Sequence, residues 1–170
     1  MKQTFVNNKT DDELPQKGKR PQPSPIRNKK ATFNYTILEK MEAGIMLNGA
    51  EVKSVRTGRV DLSESFARIQ NGQIIAKNIY ILPYHGVRPD AYNPRRDRKL
   101  LLHKQQIATL AAKMTKGGMA LIPMSLYFTR NFVKVELALA QSKKQFDKRK
   151  SIKARDEERQ LQQDIKSIKY

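Results

Sequence analysis

The 170-residue sequence has no cysteine. Disulfides, zinc–thiolate centres and thiol nucleophiles are therefore all excluded, and the chain suits a reducing compartment. It also lacks any apolar run near the roughly 20 residues needed to span a membrane, and its first residues lack the apolar core of a secretory signal. These absences point to the cytoplasm, with no membrane partner. Phosphate-cradling glycine loops of the Walker or GxGxxG type are missing. Only two histidines occur. His85 falls in a loop and His103 at a helix start, and their placement is not that of a metal-binding pair. Ser63 and Ser65 share a strand, but the pattern supplies a base to neither. The 16 carboxylates are few, and most neighbour a Lys or Arg. The expectation is a protein that is not an enzyme, with no catalytic residues, no metal and no cofactor.

What is abundant is positive charge: 34 Lys and Arg against 16 Asp and Glu, a formal net charge of +18. Residues 1–30 carry 8 basic and 3 acidic side chains, residues 141–170 carry 10 and 5, and the middle carries 16 and 8. Both ends and the body are thus basic, and such a field draws in polyanions over a Debye length. Nucleic acid and an anionic membrane are the two candidates. The basic segments lack the broad aromatic and leucine face of a membrane-surface helix, which favours nucleic acid.

Residues 1–27 are polar, with prolines at 15, 21, 23 and 25, and cannot bury enough apolar surface to offset ordering entropy. They are expected to form a disordered N-terminal extension. Periodic structure starts near Tyr35. "NYTILEK" and "GIMLNGAEV" have the pattern of two short strands with a turn around Glu42–Gly44. "GAEVKSVRTG" changes period and suits a short helix. "LSESFARIQ" and "QIIAKNIYIL" flank Asn71–Gly72, a strong hairpin signal. Ile107, Leu110, Ala111 and Met114 have helical spacing, predicting an amphipathic helix over 103–116 that stops at Gly117–Gly118. "MALIPMSLYF" and "FVKVELALA" then flank a turn at Thr129–Asn131. In the last strand, Val133, Val135, Leu137 and Leu139 alternate with Lys134, Glu136 and Ala138. Pro123 implies a strand edge or a bulge.

The expected fold is mainly β: a small antiparallel barrel of about six strands over residues 28–140, with two or three packed helices. Closure favours a barrel over an open α+β sheet because it removes exposed edges. Basic extensions, disordered in the free protein, would lie on either side, the second over residues 141–170.

Two stretches invite a functional reading. In "PRRDRKLLLHK", Arg95, Arg96, Arg98 and Lys99 beside a long loop form a candidate phosphate clamp, since the planar guanidinium donates two parallel hydrogen bonds to phosphate oxygens. A leucine beside such a clamp would then pack on a splayed base or a sugar. The alternative is a solvated loop entering a buried strand or helix. "SKKQFDKRKSIKARDEE" packs seven Lys and Arg around one Phe. Beyond it, Ala154, Leu161, Ile165 and Ile168 draw one narrow apolar line on a helix, too thin to dock on a core. Such a tail is marginal alone and becomes helical when a partner supplies contacts.

Three segments together, "EAGIMLNGAEVKSVRTGRVDLSESFARIQNG", "RRDRKLLLHKQQI" and "MALIPMSLYFTRNFVKVELALAQSKKQFDKRKSIKARD", resemble the SmpB family, the SsrA-binding proteins of bacteria. The resemblance covers about residues 28–157. It implies an OB-like barrel with packed helices and a non-catalytic role in trans-translation. Such a protein binds the tRNA-like domain of transfer-messenger RNA (tmRNA) and delivers it to stalled 70S ribosomes, where incomplete peptides are tagged. Its tail enters the small-subunit decoding centre and the empty message channel, and the free protein is a monomer. Asn28, Glu42 and Leu101 match family positions that contact tmRNA. Lys143, Lys144, Asp147, Lys148 and Arg149 match the tail motif, and Ile165 and Lys166 fall where the tail helix acts. Glu42 suits an RNA face only as an acceptor for a base amino group or a 2′-OH, since against phosphate it would repel. The family usually has Gly where this chain has Ser142, which bears on any left-handed bend there. The broader alternative is a general OB-type RNA-binding or ribosome-associated protein.

Overall fold

In a computed structural model of the chain, residues 23–84, 92–115, 117–144, 160, 161, 163 and 164 are described. The alternation in the last strand decides its geometry. Val133, Val135, Leu137 and Leu139 point inward and are buried, while Lys134 and Glu136 lie on the outer face. This strand, β9 (Phe132–Ser142), forms a long hairpin with β8 (Met119–Thr129), from Thr129 opposite Phe132 to Met119 opposite Gln141. Arg130, at φ +55°, turns the chain between them. The register shifts between Pro123 and Ser125, so the proline marks a bulge, the device that lets a residue without an N–H sit inside a ladder.

On its other side β9 pairs with β2 (Tyr35–Ile45). The ring continues through β7 (Arg98–Leu101), β5 (Gln73–Lys77) and β4 (Phe66–Gln70), and β4 returns to β8. Every pairing is antiparallel. The six-strand closed ring is the expected barrel. Its β4–β5 hairpin turns on Asn71 (φ +49°) and Gly72 (φ +70°), the two left-handed positions that an Asn-Gly turn supplies. β3 (Val60–Asp61) and β6 (Tyr80–Ile81) form a separate two-strand ladder.

The core is in two parts. Inside the ring, Ile74, Leu100, Leu121, Leu126, Val135 and Leu137 are buried, each contributing roughly 1.5–3 kcal/mol. It is closed by α2 (Gly49–Arg56), which brings Val55, and by α3 (Lys104–Met114), which brings Leu110. Each helix starts on a side chain three residues in: Glu51 accepts from the Asn48 N–H at 2.7 Å and Gln106 from the His103 N–H at 3.0 Å. A smaller cluster lies outside the ring. There α1 (Lys29–Asn34) lays Ala31 against Ile122, Met124, Ala138 and Ala140. Small residues at 138 and 140 leave room for that helix.

Three expectations are corrected. Residues 35–45 make one strand rather than two separated by a turn at Glu42–Gly44. Gly44 sits in register between Lys134 and Leu101, and a Cβ there would come within 3.2 Å of the Leu101 Cβ, so the glycine serves close approach rather than reversal. The barrel also begins before residue 28. In β1 (Ile26–Arg27), Ile26 and Arg27 pair with Leu126 and Ser125, and the Asn28 N–H donates to Met124 O at 2.7 Å. At the other end β9 runs two residues past 140, to Ser142, which pairs with Tyr35 and has no left-handed φ.

Candidate nucleic-acid interface

The expected clamp of four basic residues divides in the structure. Arg98 is fully buried and forms an ion pair with Glu51, also fully buried, at 2.8 Å. All five of its N–H donors are used: Nε and one Nη2 proton on Glu51 Oε1, the other Nη2 proton on Pro94 O, and Nη1 on Ile79 O and Arg96 O. Arg96 donates to the same carboxylate from Nε at 2.8 Å and Nη2 at 2.5 Å. Burial works to raise the Glu51 pKa. The hydrogen bonds from Arg96 and the Asn48 N–H, with the charge of Arg98, outweigh it and hold Glu51 below the usual carboxylate range. Arg98 is therefore no phosphate ligand. It joins β7 to α2 and to the 93–97 segment, and Arg96 shares the carboxylate. Arg95 is exposed, with its guanidinium 5.3 Å from the centre of the Tyr80 ring, and Lys99 is half-buried.

Asn28 also turns inward. Its Oδ1 accepts from the Ala31 N–H at 3.0 Å, capping α1, while Nδ2 donates to Leu62 O at 2.7 Å and Pro123 O at 3.1 Å. A buried amide with these three bonds fixes where α1 starts and offers little to an external ligand.

Glu42 and Leu101 are surface features. Glu42 accepts from Tyr127 Oη and from Lys134 Nζ, the latter at 2.8 Å. The Lys134 and Tyr127 bonds keep Glu42 ionised below the usual carboxylate range. Burial and the Glu42 bond push the Tyr127 phenol up to about 12. Next to this trio, Lys40 pairs with Glu136 at 3.1 Å, and Ser125 donates to Glu136 at 3.2 Å. The strip borders a groove of about 590 Å³ whose lining includes Arg27, Lys29, Lys40 and Tyr127. Leu101 is half exposed and lines a second, more apolar groove of about 770 Å³ between the β4–β5 hairpin and α3, flanked by Lys99 and Lys104. Among the expected site residues, then, Glu42 lies on one outer face, Leu101 and Lys99 at an adjacent groove, and Arg96, Arg98 and Asn28 in the supporting framework.

The base of the tail is fixed. Lys143 donates its backbone N–H to Asn34 O and its Nζ to Thr32 O, both at 3.0 Å, so it is bonded to the last turn of α1, and Lys144 beside it is exposed. Residues 160, 161, 163 and 164 are helical. Asp147, Lys148, Arg149, Ile165 and Lys166 lie outside the described residues, as does His85. Sequence reasoning missed Tyr127 as the partner of Glu42. The signal was available in the hairpin: counting back from the Thr129–Phe132 pair sets Tyr127 opposite Lys134.

Residues 25–167 match the family model described as SmpB protein. The SsrA-binding protein of Syntrophobacter fumaroxidans is 51% identical over 135 residues, covering 79% of this chain and 84% of the relative. That of Chlorobaculum tepidum is 51% identical over 139 residues, covering 81% and 88%. A solved structure described as "tmRNA-SmpB: a journey to the center of the bacterial ribosome" superposes with a TM-score of 0.61 at 45% identity, covering 71% of this chain and 85% of that one.

Proposed function

This chain belongs to the SmpB family, and from that premise we propose that it binds the tRNA-like domain of tmRNA and delivers it to stalled ribosomes for trans-translation. The observation that carries the reading is the half-identity to SsrA-binding proteins across four-fifths of the chain. The geometry supports it. A closed, rigid barrel presents basic grooves on its outside, and one ionised carboxylate, Glu42, is held between a phenol and an ammonium. Glu42 then accepts from a base amino group or a 2′-OH, the RNA groups that a carboxylate favours. Leu101, flanked by Lys99 and Lys104, packs against a ribose or base while the lysines meet phosphate. Asn28 contributes by fixing α1 and the groove beside it.

On the ribosome, Lys143, Lys144, Asp147, Lys148 and Arg149 serve the small-subunit decoding centre, and Ile165 and Lys166 act within the message channel. The protein works by binding, without a catalytic step of its own. No helix among the described residues is long and apolar enough to cross a membrane, and the proposed site of action is the cytoplasm. The test is selectivity. Full-length protein should bind a tRNA-like-domain transcript in preference to unrelated RNA of equal length at elevated salt, where non-specific binding fades. Equal affinity for both RNAs would reduce the reading to a general RNA-binding barrel.

A further inference from the structure

The basic residues of the barrel differ in what neutralises them. Lys40, Lys77, Arg96, Arg98, Lys113 and Lys134 each form an ion pair with a carboxylate. Four cations instead stand over aromatic rings: Arg68 over Phe66 within β4, at 5.2 Å, and three more at the α2 end of the barrel. Lys53 stands 5.1 Å from the ring centre of Tyr84, Arg56 5.5 Å from that of Phe128, and Arg95 5.3 Å from that of Tyr80. None of these three cations is within ion-pair distance of a described carboxylate, and all three are exposed.

The three pairs belong to one region. Lys53 and Arg56 are three residues apart on α2, so they share a face of the helix. Tyr80 and Tyr84 lie on and just after β6, which packs on α2, and the chain just past β6 is tied to the loop that follows α2 by the Leu82 N–H on Arg59 O. Arg95 follows Pro94, whose carbonyl accepts from the Ile81 N–H at 3.1 Å. Phe128 is one residue from the end of β8, where the hairpin tip exposes Phe132 at 72%. This region is at the opposite end of β9 from Ser142, where the tail leaves.

A cation over an aromatic face is oriented without being neutralised. It keeps its charge for phosphate, and the ring with its cation forms a flat platform for an unstacked base. Three such units and an exposed phenylalanine, with no described carboxylate in direct contact and only Asp61 acting on Arg95 from a distance, suit RNA better than an acidic protein, which would make no use of the rings.

We propose that the α2 end of the barrel is a second RNA-binding surface, in which Lys53, Arg56 and Arg95 hold phosphates of the tRNA-like domain and the aromatic rings support an unpaired base. This rests on the functional reading above. The commitment to tmRNA follows from position: the surface lies at the opposite end of β9 from Ser142, after which come the residues assigned to the ribosome.

The test compares full-length wild type with a Lys53→Gln, Arg56→Gln, Arg95→Gln variant, each titrated with the tRNA-like-domain transcript and with purified small ribosomal subunits over a range of salt. The expected result is affinity for the transcript lowered about ten-fold or more and a log–log salt slope shallower by about two to three units. Binding to the subunits should be unchanged. A Lys53→Arg, Arg56→Lys variant keeps the charges and should keep the wild-type slope, which a merely structural role would not predict. Unchanged affinity and slope in the triple variant would overturn the proposal, as would weaker binding confined to the ribosomal subunits. If wild type itself fails to prefer the transcript, the functional reading fails instead.

Discussion

Glu51 and Glu42 each accept from two side chains, yet burial separates what their loss does. Glu51 is enclosed with Arg98, so removing Glu51 leaves Arg98 charged and buried with carbonyls but no carboxylate, and removing Arg98 leaves the buried Glu51 with Arg96 as its one cation. Arg98→Ala or Glu51→Ala should destabilise the barrel by about 3–5 kcal/mol, measured by urea unfolding. The same pair makes stability pH-dependent. Folded Glu51 ionises below the ordinary 4.5, so the unfolded chain binds the extra proton in that range. Its contribution is complete above about pH 4.5 and drains as the pH falls through the folded value, a loss that Glu51→Gln removes. Glu42 lies on the surface, and its loss should leave stability nearly untouched. Tyr127→Phe deletes one of its two side-chain bonds and frees its rotamer. The expected outcome is roughly two- to ten-fold weaker binding of the tRNA-like domain with an unchanged urea midpoint. The tyrosine also reports on itself: its absorbance at high pH should titrate near 12 in the wild type and move back toward 10 in Glu42→Gln.

Among the elements, β2 and β7 meet where Gly44 faces Leu101, and that contact sets how far the leucine stands out. Gly44→Ala would place a methyl 3.2 Å from the Leu101 Cβ. The ring should still close, at a cost of about 1 kcal/mol, while Leu101 shifts. Methyl NMR of Leu101 and the affinity for the transcript should change together, whereas an undisturbed methyl signal would show that the pair is loosely packed. The same glycine shows how the sequence can mislead. Gly44, two residues after Glu42, has the signature of a turn, and only the partner strand, some 57 residues away, reveals that it makes room for a side chain. Signals carried by a residue's own neighbours were legible: the alternation in β9, the Asn71–Gly72 turn, the helical spacing in α3 and the bulge at Pro123. Signals that depend on distant partners were not. Arg98 has the composition of a phosphate ligand until Glu51, 47 residues earlier, is found beside it. Asn28 matches a family position, but the carbonyls that claim its amide belong to Leu62 and Pro123. The six-residue α1 was too short to show a period.

For the molecule as a whole, the proposed division of labour is that the barrel holds RNA and the tail addresses the ribosome. The barrel strand ends at Ser142, so a chain ending at Lys144 should fold and retain most affinity for the tRNA-like domain, yet fail to support tagging. Replacing Asp147, Lys148 and Arg149 with alanine in the full chain should do the same with the tail present: near-normal RNA affinity, with peptide transfer to tmRNA abolished or greatly slowed on ribosomes carrying truncated message. Normal transfer in that variant would remove the decoding site from the account. How well a tail finds its target depends on its far end and also on its mounting. A cord tied to a swivel sweeps a sphere, while one led through a fixed guide sweeps a cone. Lys143 is bonded twice to α1, and α1 is pinned through Asn28 to the carbonyls of Leu62 and Pro123. Lys143 and Lys144 are therefore such a fixed guide, and the short helix outside the ring sets the direction in which it points.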